Sequence, residues 1–87
     1  MCKFLHIRKY NDNLQIQGRG GVTVAYDDLT NGCWMIAIAR CHEKDNFNKR
    51  LGRVKAEGRL MSRDQFSCIS GFPTEQDLIK HLIRTYQ

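Results

Sequence analysis

The feature that most limits the possible folds is an apolar run of seven residues, Cys33 to Ala39. A membrane-spanning helix takes about 20 apolar residues, so this run is too short to cross a bilayer as a helix. It is apolar at odd and even positions alike, and both faces of a strand built from it would need cover. The sequence therefore predicts a central β-strand whose second face is covered by a helix or by another subunit.

Alternating apolar and polar residues come before this run. Segments 3–10 and 14–17 alternate on either side of the turn residues Asn11-Asp12-Asn13, which predicts a β-hairpin with Leu5, Ile7, Leu14 and Ile16 on one face. The glycine-rich stretch Gly18-Arg19-Gly20-Gly21 is a bulge or a loop. Segment 22–26 alternates again, and residues 27–32 end in an Asn-Gly turn.

Helical spacing follows the run. Apolar or small residues recur at steps of four, three, four and three, which predicts a helix over residues 45–61 with one buried stripe; its members are Phe47, Leu51, Val54, Gly58 and Met61. Asp45 or Asn46 is expected to cap the first turn. On this interpretation Gly58 brings the helix close to the sheet, whereas Gly52 and Ala56 face outward, toward a second subunit or a nucleic acid.

The carboxyl-terminal part predicts a short strand within Gln65–Ile69 and a helix over residues 74–86. Thr74 is the expected N-cap, with Asp77 three residues on, and an apolar stripe follows; it consists of Leu78, Ile79, Leu82, Ile83 and Tyr86. The whole pattern predicts an α+β fold in a single domain, residues 1–87. Its core is a small, mainly antiparallel sheet of three to four strands, covered by a basic helix and a C-terminal helix.

The net charge of +5 lies between residues 40 and 63, where eight Lys and Arg stand against three acidic residues. Cations along a helix can follow a row of phosphates, which predicts a nucleic-acid-binding surface. Its expected contacts are Lys49, Arg50, Arg53, Lys55 and Arg59, with Arg19, Arg40, Lys44 and Arg63 as secondary contributors. The alternatives are a solvated face, with Glu57 paired to Arg53, and an acidic protein partner.

No catalytic or metal site is predicted. Cys41, His42 and Glu43 are consecutive, but neighbours on a strand point to opposite faces, so the chain is expected not to be an enzyme. The four cysteines lack C-x-x-C spacing and are expected to be buried free thiols, with no metal and no cofactor.

The amino terminus has no signal-peptide pattern and no run reaches membrane-span length, so a cytoplasmic protein is expected. A chain of 87 residues buries only a small core, and the strand predicted at Cys33–Ala39 is apolar on both faces. These two features predict a homodimer.

The residues around the basic segment also carry a resemblance. The pattern Cys41-x3-Asp45-x-Phe47-x-Lys49-x2-Gly52-Arg53-x2-Ala56-x-Gly58-Arg59, after a hydrophobic strand, resembles a motif of small basic bacteriophage proteins. Among phage proteins of this size and charge, the nearest functional parallel is the toxin-inhibitory factors of the T4-like phages, which are RNA-binding antagonists of a host RNase toxin. The resemblance implies a non-enzymatic protein of host takeover or counter-defence that acts in the host cytoplasm through its basic helix.

Overall fold

In the computed structural model the chain forms a four-stranded antiparallel sheet with two helices. The structure describes residues 2–9, 15, 18, 20–29, 32–42, 44–62 and 66–86. The strands are β1 (Lys3–Ile7), β2 (Val22–Asp28), β3 (Trp34–Arg40) and β4 (Ser67–Ile69), and the helices are α1 (Lys49–Met61) and α2 (Glu75–Tyr86). The strands lie in the order β1-β2-β3-β4, which confirms the predicted α+β fold.

The register of the sheet separates the large buried side chains from the buried alanines. Val24 of β2 lies opposite Leu5 and Ile38, whereas the next residue, Ala25, lies opposite Phe4 and Ala37. Because neighbouring residues of a strand point to opposite faces, these two sets form two different surfaces. One face carries the large buried side chains Ile7, Val22, Val24, Tyr26, Trp34 and Ile36, and the other carries Ala25, Ala37 and Ala39.

Each helix covers one of these faces. Leu78 and Leu82 of α2 are buried on the large-residue face, and Ala56 and Leu60 of α1 are buried on the alanine face. The prediction of a β-strand with both faces covered is confirmed for β3. Because the cover comes from two helices of the same chain, this strand no longer provides the reason for expecting a second subunit.

The amino-terminal hairpin is confirmed only in its first strand. Leu5 and Ile7 of β1 do lie on one face, but β1 pairs with β2, and the predicted second strand at 14–17 lies mostly outside the described residues. The glycine-rich stretch after it packs on the loop before α1: Gly20 N donates to the Asp45 carbonyl at 3.1 Å. Gly21 has a φ of 105°, and a Cβ there would lie 2.7 Å from Cδ2 of Phe47, so only glycine fits.

The buried stripe predicted for α1 is wrong. Leu51, Val54 and Met61 are 49%, 63% and 78% exposed, and nothing lies within 4 Å of a Cβ built on Gly58. The inward face is the one predicted to face outward: Ala56 is buried, and a Cβ on Gly52 would collide with the Thr23 hydroxyl. The physical reason is the alanine face of the sheet, which lets the helix backbone approach so closely at Gly52 and Ala56 that larger residues do not fit at these two positions.

The starts of the two helices differ in how well the sequence predicted them. α1 begins at Lys49 and its N-cap is Asn48, whose Oδ1 accepts the N–H of Leu51 at 3.0 Å. Neither Asp45 nor Asn46 is the cap, because the helix begins only after Asp45 and Phe47 have formed backbone hydrogen bonds with Gly20 and Gly18. Capping of α2 by Thr74 is confirmed. Its hydroxyl accepts from the Asp77 N–H at 3.2 Å and donates to the Asp77 carboxylate at 2.9 Å.

Candidate nucleic-acid interface

Four of the predicted contact residues lie exposed along α1. They are Lys49, Arg50, Arg53 and Lys55, and none of their side chains forms a hydrogen bond or ion pair with any residue that the structure describes. The pair considered between Glu57 and Arg53 is not formed; within the described ranges the one ion pair joins Lys3 to Glu75. Among the described residues, no acidic side chain neutralises these four charges, and all four side chains are exposed.

The sheet adds a fifth cation to this surface, Arg8, which follows β1. Its guanidinium lies 4.4 Å from the ring centroid of Phe47, just before α1. Burial lowers the pKa of His6 of β1 most, and the charges of Lys49, Arg53 and Arg8 lower it further. We call Arg8, Lys49 and Arg53 the cationic patch. Nothing in the sequence pattern linked Arg8 to α1, because only the register of the folded sheet brings β1 beside the helix.

His6 lies at the centre of this patch. Its Nδ1 shares a hydrogen bond of 2.9 Å with the Thr23 hydroxyl, and its ring meets that of Phe47 edge-on at 5.8 Å. Burial is the largest cause of the lowered pKa of His6, and the three cations of the patch add to it. The site thus favours a neutral imidazole, and a bound anion would offset the contribution of the cations.

The remaining predicted contacts are placed differently. Arg59 is half-buried, and its Nη1 donates to the carbonyl of Ile38 at 2.5 Å. Ile38 lies beyond the part of β3 that pairs with β4, so the guanidinium takes the place of a strand partner there. The guanidinium of Arg40 lies 5.3 Å from the ring centroid of Tyr86 on α2. Lys44 is exposed in the loop before α1. Arg19 and Arg63 lie outside the described residues.

An apolar surface runs along the middle of the outward face of α1. It consists of Leu51, Val54 and Met61, with Gly58 between the last two, and we call it the apolar strip. The sequence interpretation had assigned these residues to the core. The signal that would have corrected it is a second periodic set at steps of four, Gly52, Ala56 and Leu60, which marks the face of closest packing.

The side chains considered for catalysis have separate partners. A cleft of about 310 Å³ at the amino end of α1 is lined in part by Cys41 and His42. The thiol of Cys41 lies 3.4 Å from the Asp45 carbonyl, whereas Nδ1 of His42 accepts the N–H of Lys44 at 3.2 Å. Glu43 lies outside the described residues. The structure therefore provides no hydrogen bond between the Cys41 thiol and the His42 ring.

The cysteines differ from their prediction in burial. Cys2, Cys33 and Cys41 are half-buried and Cys68 is exposed, so the expectation of buried thiols is wrong. Burial is the largest cause of a raised pKa at Cys2, and Glu57 is the next. Within the described part of the chain, no three His, Cys, Asp or Glu side chains lie close enough to hold a metal ion.

Neither α1 nor α2 is long and apolar enough to span a membrane. Comparison of the chain with protein-family models, with curated proteins and with solved structures gave no match.

Proposed function

We propose that this protein binds RNA, through contacts from the cationic patch and from Arg50 and Lys55 to the phosphate backbone. The observation that carries the proposal is the set of exposed Lys and Arg on α1 that no described acidic side chain neutralises. Cations of this kind release counterions when they meet phosphates, and this release supplies most of the affinity of backbone binding. Sequence preference is expected to be slight, because phosphate contacts carry no base information.

The contact between Arg8 and Phe47 favours RNA with unpaired bases. The half-buried side chains of Arg8 and Phe47, whose guanidinium and ring centroid lie 4.4 Å apart, leave part of a flat, charged surface exposed. Proteins that bind single strands combine such surfaces, on which bases stack, with cations that follow the backbone. A single strand is therefore expected to bind more tightly than a duplex of the same length.

A second candidate function is binding to an acidic protein surface, and the apolar strip favours it. Leu51, Val54 and Met61 contribute nothing to phosphate binding, but an apolar centre with a polar rim is typical of protein interfaces. The sequence resemblance extends either proposal to inhibition of a host RNase toxin. Rescue of toxin-expressing cells by the wild-type chain, but not by a variant without the cationic patch, would support this extension.

The direct test reverses two charges of the patch, Lys49→Glu with Arg53→Glu. The matched control is Lys80→Glu with Arg84→Glu, which has the same spacing and charge change but lies on α2. Fluorescence anisotropy with labelled RNA of about 20 nucleotides, at several salt concentrations, measures the affinity of each folded variant.

The patch variant should lose at least about tenfold in affinity, and its log–log salt slope should fall by roughly 0.7 for each lost contact with a single strand. The control should change affinity much less. Equal losses in both variants would remove the patch from the proposal. Unchanged affinity in both variants would likewise remove the patch as the binding site. No binding of RNA by the wild type would reject RNA binding and leave the protein-partner function.

A further inference from the structure

The apolar strip has the spacing of a helix–helix seam. Its members, at positions 51, 54, 58 and 61, follow steps of three, four and three, which is the a and d pattern of a coiled coil. Leu51, Val54 and Met61 are three of the four large hydrophobic side chains that are exposed in the described part of the chain. They therefore form one continuous line on a single helix and are not scattered over the surface.

Gly58 has no side chain and therefore leaves a gap in this seam, which we call the notch. A glycine inside a helix costs about 1 kcal/mol relative to alanine. Nothing in the fold requires it here, because its φ is not positive and no atom lies within 4 Å of a Cβ built on it. A missing side chain on the outward face allows a side chain from another helix to pack close to the backbone.

We propose that the helix which covers the apolar strip is α1 of a second copy of this chain, in an antiparallel, two-fold pair centred on Val54. In this arrangement Leu51 of each copy packs over Gly58 of the other. Arg50 of each copy lies beside Glu57 of the other, so opposite charges meet on the flank of the seam. The strip is thus complementary to itself, as a two-fold interface requires.

The charges select the antiparallel direction. In a parallel pair, Arg50 would lie beside Lys55 of the second copy, because residues five apart face each other across a parallel seam. Like charges there oppose association. The antiparallel pair replaces both of those contacts with Arg50 beside Glu57, and these two attractive pairs outweigh the one like-charge contact that it creates, between the two Lys55 side chains beside the axis. The side chains of Arg50 and Glu57 are exposed in the single chain.

The pair also has a consequence for RNA binding, if the proposed function holds. The two-fold axis of an antiparallel pair is perpendicular to the plane that contains both helices, so the same flank of each α1 lies on the same side of this plane. The cationic patches of the two copies then face in one direction and offer a longer path for a phosphate backbone. The dimer itself does not depend on RNA, and it is tested without nucleic acid.

Three apolar side chains and their flanks make a small interface. Specific interfaces begin near about 1,200 Å² of total buried area, and smaller ones are weak. The dissociation constant is therefore expected on the order of 10 µM to 100 µM, where ΔG of binding is about −6 kcal/mol. Analytical ultracentrifugation of nuclease-treated protein from about 5 µM to about 500 µM covers this range.

The first experiment compares Val54→Lys with Leu29→Lys. Both replace an exposed apolar residue by lysine, but Leu29 lies outside the strip, just after β2. The wild type and Leu29→Lys should move from 10.1 kDa toward twice that mass as concentration rises. Val54→Lys should raise the dissociation constant at least about tenfold, because two lysines then meet at the axis. A wild type that stays monomeric throughout, or equal behaviour of the two variants, would overturn the proposal.

The second experiment locates the axis. Val54→Cys should form a 54–54 disulfide between copies on mild oxidation, detected by peptide mass spectrometry, whereas Leu29→Cys should not. Gly58→Ala should weaken the dimer by several-fold while leaving the single chain folded, because its methyl group fills the notch. A dimer without the 54–54 disulfide, or one unaffected by Gly58→Ala, would reject this seam. Dimerisation without RNA binding would reject only the proposed function.

Discussion

The two helices cover opposite faces of one sheet, but they bury different kinds of residue. α2 packs Leu78 and Leu82 on the large side chains of its face. α1 packs Ala56 and Leu60 on alanines, with Gly52 against Thr23, and leaves Leu51 exposed. An apolar stripe therefore marks the buried face of a helix only when the opposing surface has room for large side chains. Where that surface is flat and small, the smallest residues of the helix mark the contact.

The two helices should differ most in how much stability is lost when one of their leucines is truncated. Leu82 of α2 is 1% exposed and Leu51 of α1 is 49% exposed. Leu82→Ala should lower the free energy of unfolding by about 2–5 kcal/mol, because it leaves a cavity in the core. Leu51→Ala should change it by less than about 0.5 kcal/mol. Urea unfolding at low protein concentration measures both, and a similar loss in the two variants would mean that the apolar strip of α1 is buried after all.

The two glycines of α1 test the same contrast within one helix. Gly52→Ala should destabilise the fold by about 1–3 kcal/mol, because the new methyl group meets the Thr23 hydroxyl and moves the helix away from the sheet. Gly58→Ala should stabilise the single chain by about 1 kcal/mol through helix propensity, since open space surrounds that position. Thermal unfolding followed by circular dichroism should therefore shift in opposite directions. Shifts of the same sign would show that the inward face of α1 is misassigned.

These contrasts explain how much of the fold the sequence could predict. α2 was predictable because a capping threonine, an acidic first turn and a leucine stripe all indicate the same helix. The order and type of the later elements followed from alternation and spacing in the same way. The face that α1 turns toward the sheet could not be predicted in this way. α1 has two sets of residues at helical spacing, one of large apolar residues and one that begins with the small residues Gly52 and Ala56. Only the alanines of the sheet, which are distant in sequence, decide between them.

The candidate site was predictable to a similar extent. Charge counting predicted that four cations of α1 are exposed, because charged side chains stay in water whichever way the helix is rotated on the sheet. They are Lys49, Arg50, Arg53 and Lys55. It could not place Arg8, whose position depends on the pairing of β1 with β2. Nor could it separate Arg59, which resembles its neighbours in sequence but donates to the backbone of β3.

Arg59 attaches α1 to the sheet by a polar contact, its hydrogen bond to the Ile38 carbonyl. Arg59→Met keeps much of the apolar stem but removes the donor to the Ile38 carbonyl, so the fold should lose about 1–2 kcal/mol. Lys55→Met is the matched control; Lys55 is exposed, forms no hydrogen bond within the described ranges and should change stability little. If the two variants are equally stable in urea, the guanidinium of Arg59 is free to bind phosphate instead.

An acidic residue, Glu75, attaches the amino end of α2 to the sheet, and its contribution to stability is expected to be small. Glu75 accepts hydrogen bonds from Lys3 at 2.8 Å and from the Tyr26 hydroxyl at 2.7 Å. The bond from Lys3 is the larger cause of the lowered pKa of Glu75, and the bond from Tyr26 is the next. Burial, followed by the bond to Glu75, raises the pKa of Tyr26, which keeps its hydroxyl a donor at neutral pH.

A lowered carboxyl pKa fixes the sign of the pH dependence. The unfolded chain binds the proton first as pH falls, so the stability from Glu75 is present above the ordinary glutamate pKa of about 4.3 and is lost as pH falls through the lower folded value. Glu75→Gln should therefore be less stable than the wild type at neutral pH, and the difference should shrink below about pH 4. Glu57→Gln on α1 is the control, measured at a concentration where the chain is monomeric, because the Glu57 side chain forms no hydrogen bond or ion pair with any described residue of its own chain. A Glu75→Gln difference that is constant from neutral to acidic pH would mean that shape, and not charge, holds the start of α2 against β1 and β2.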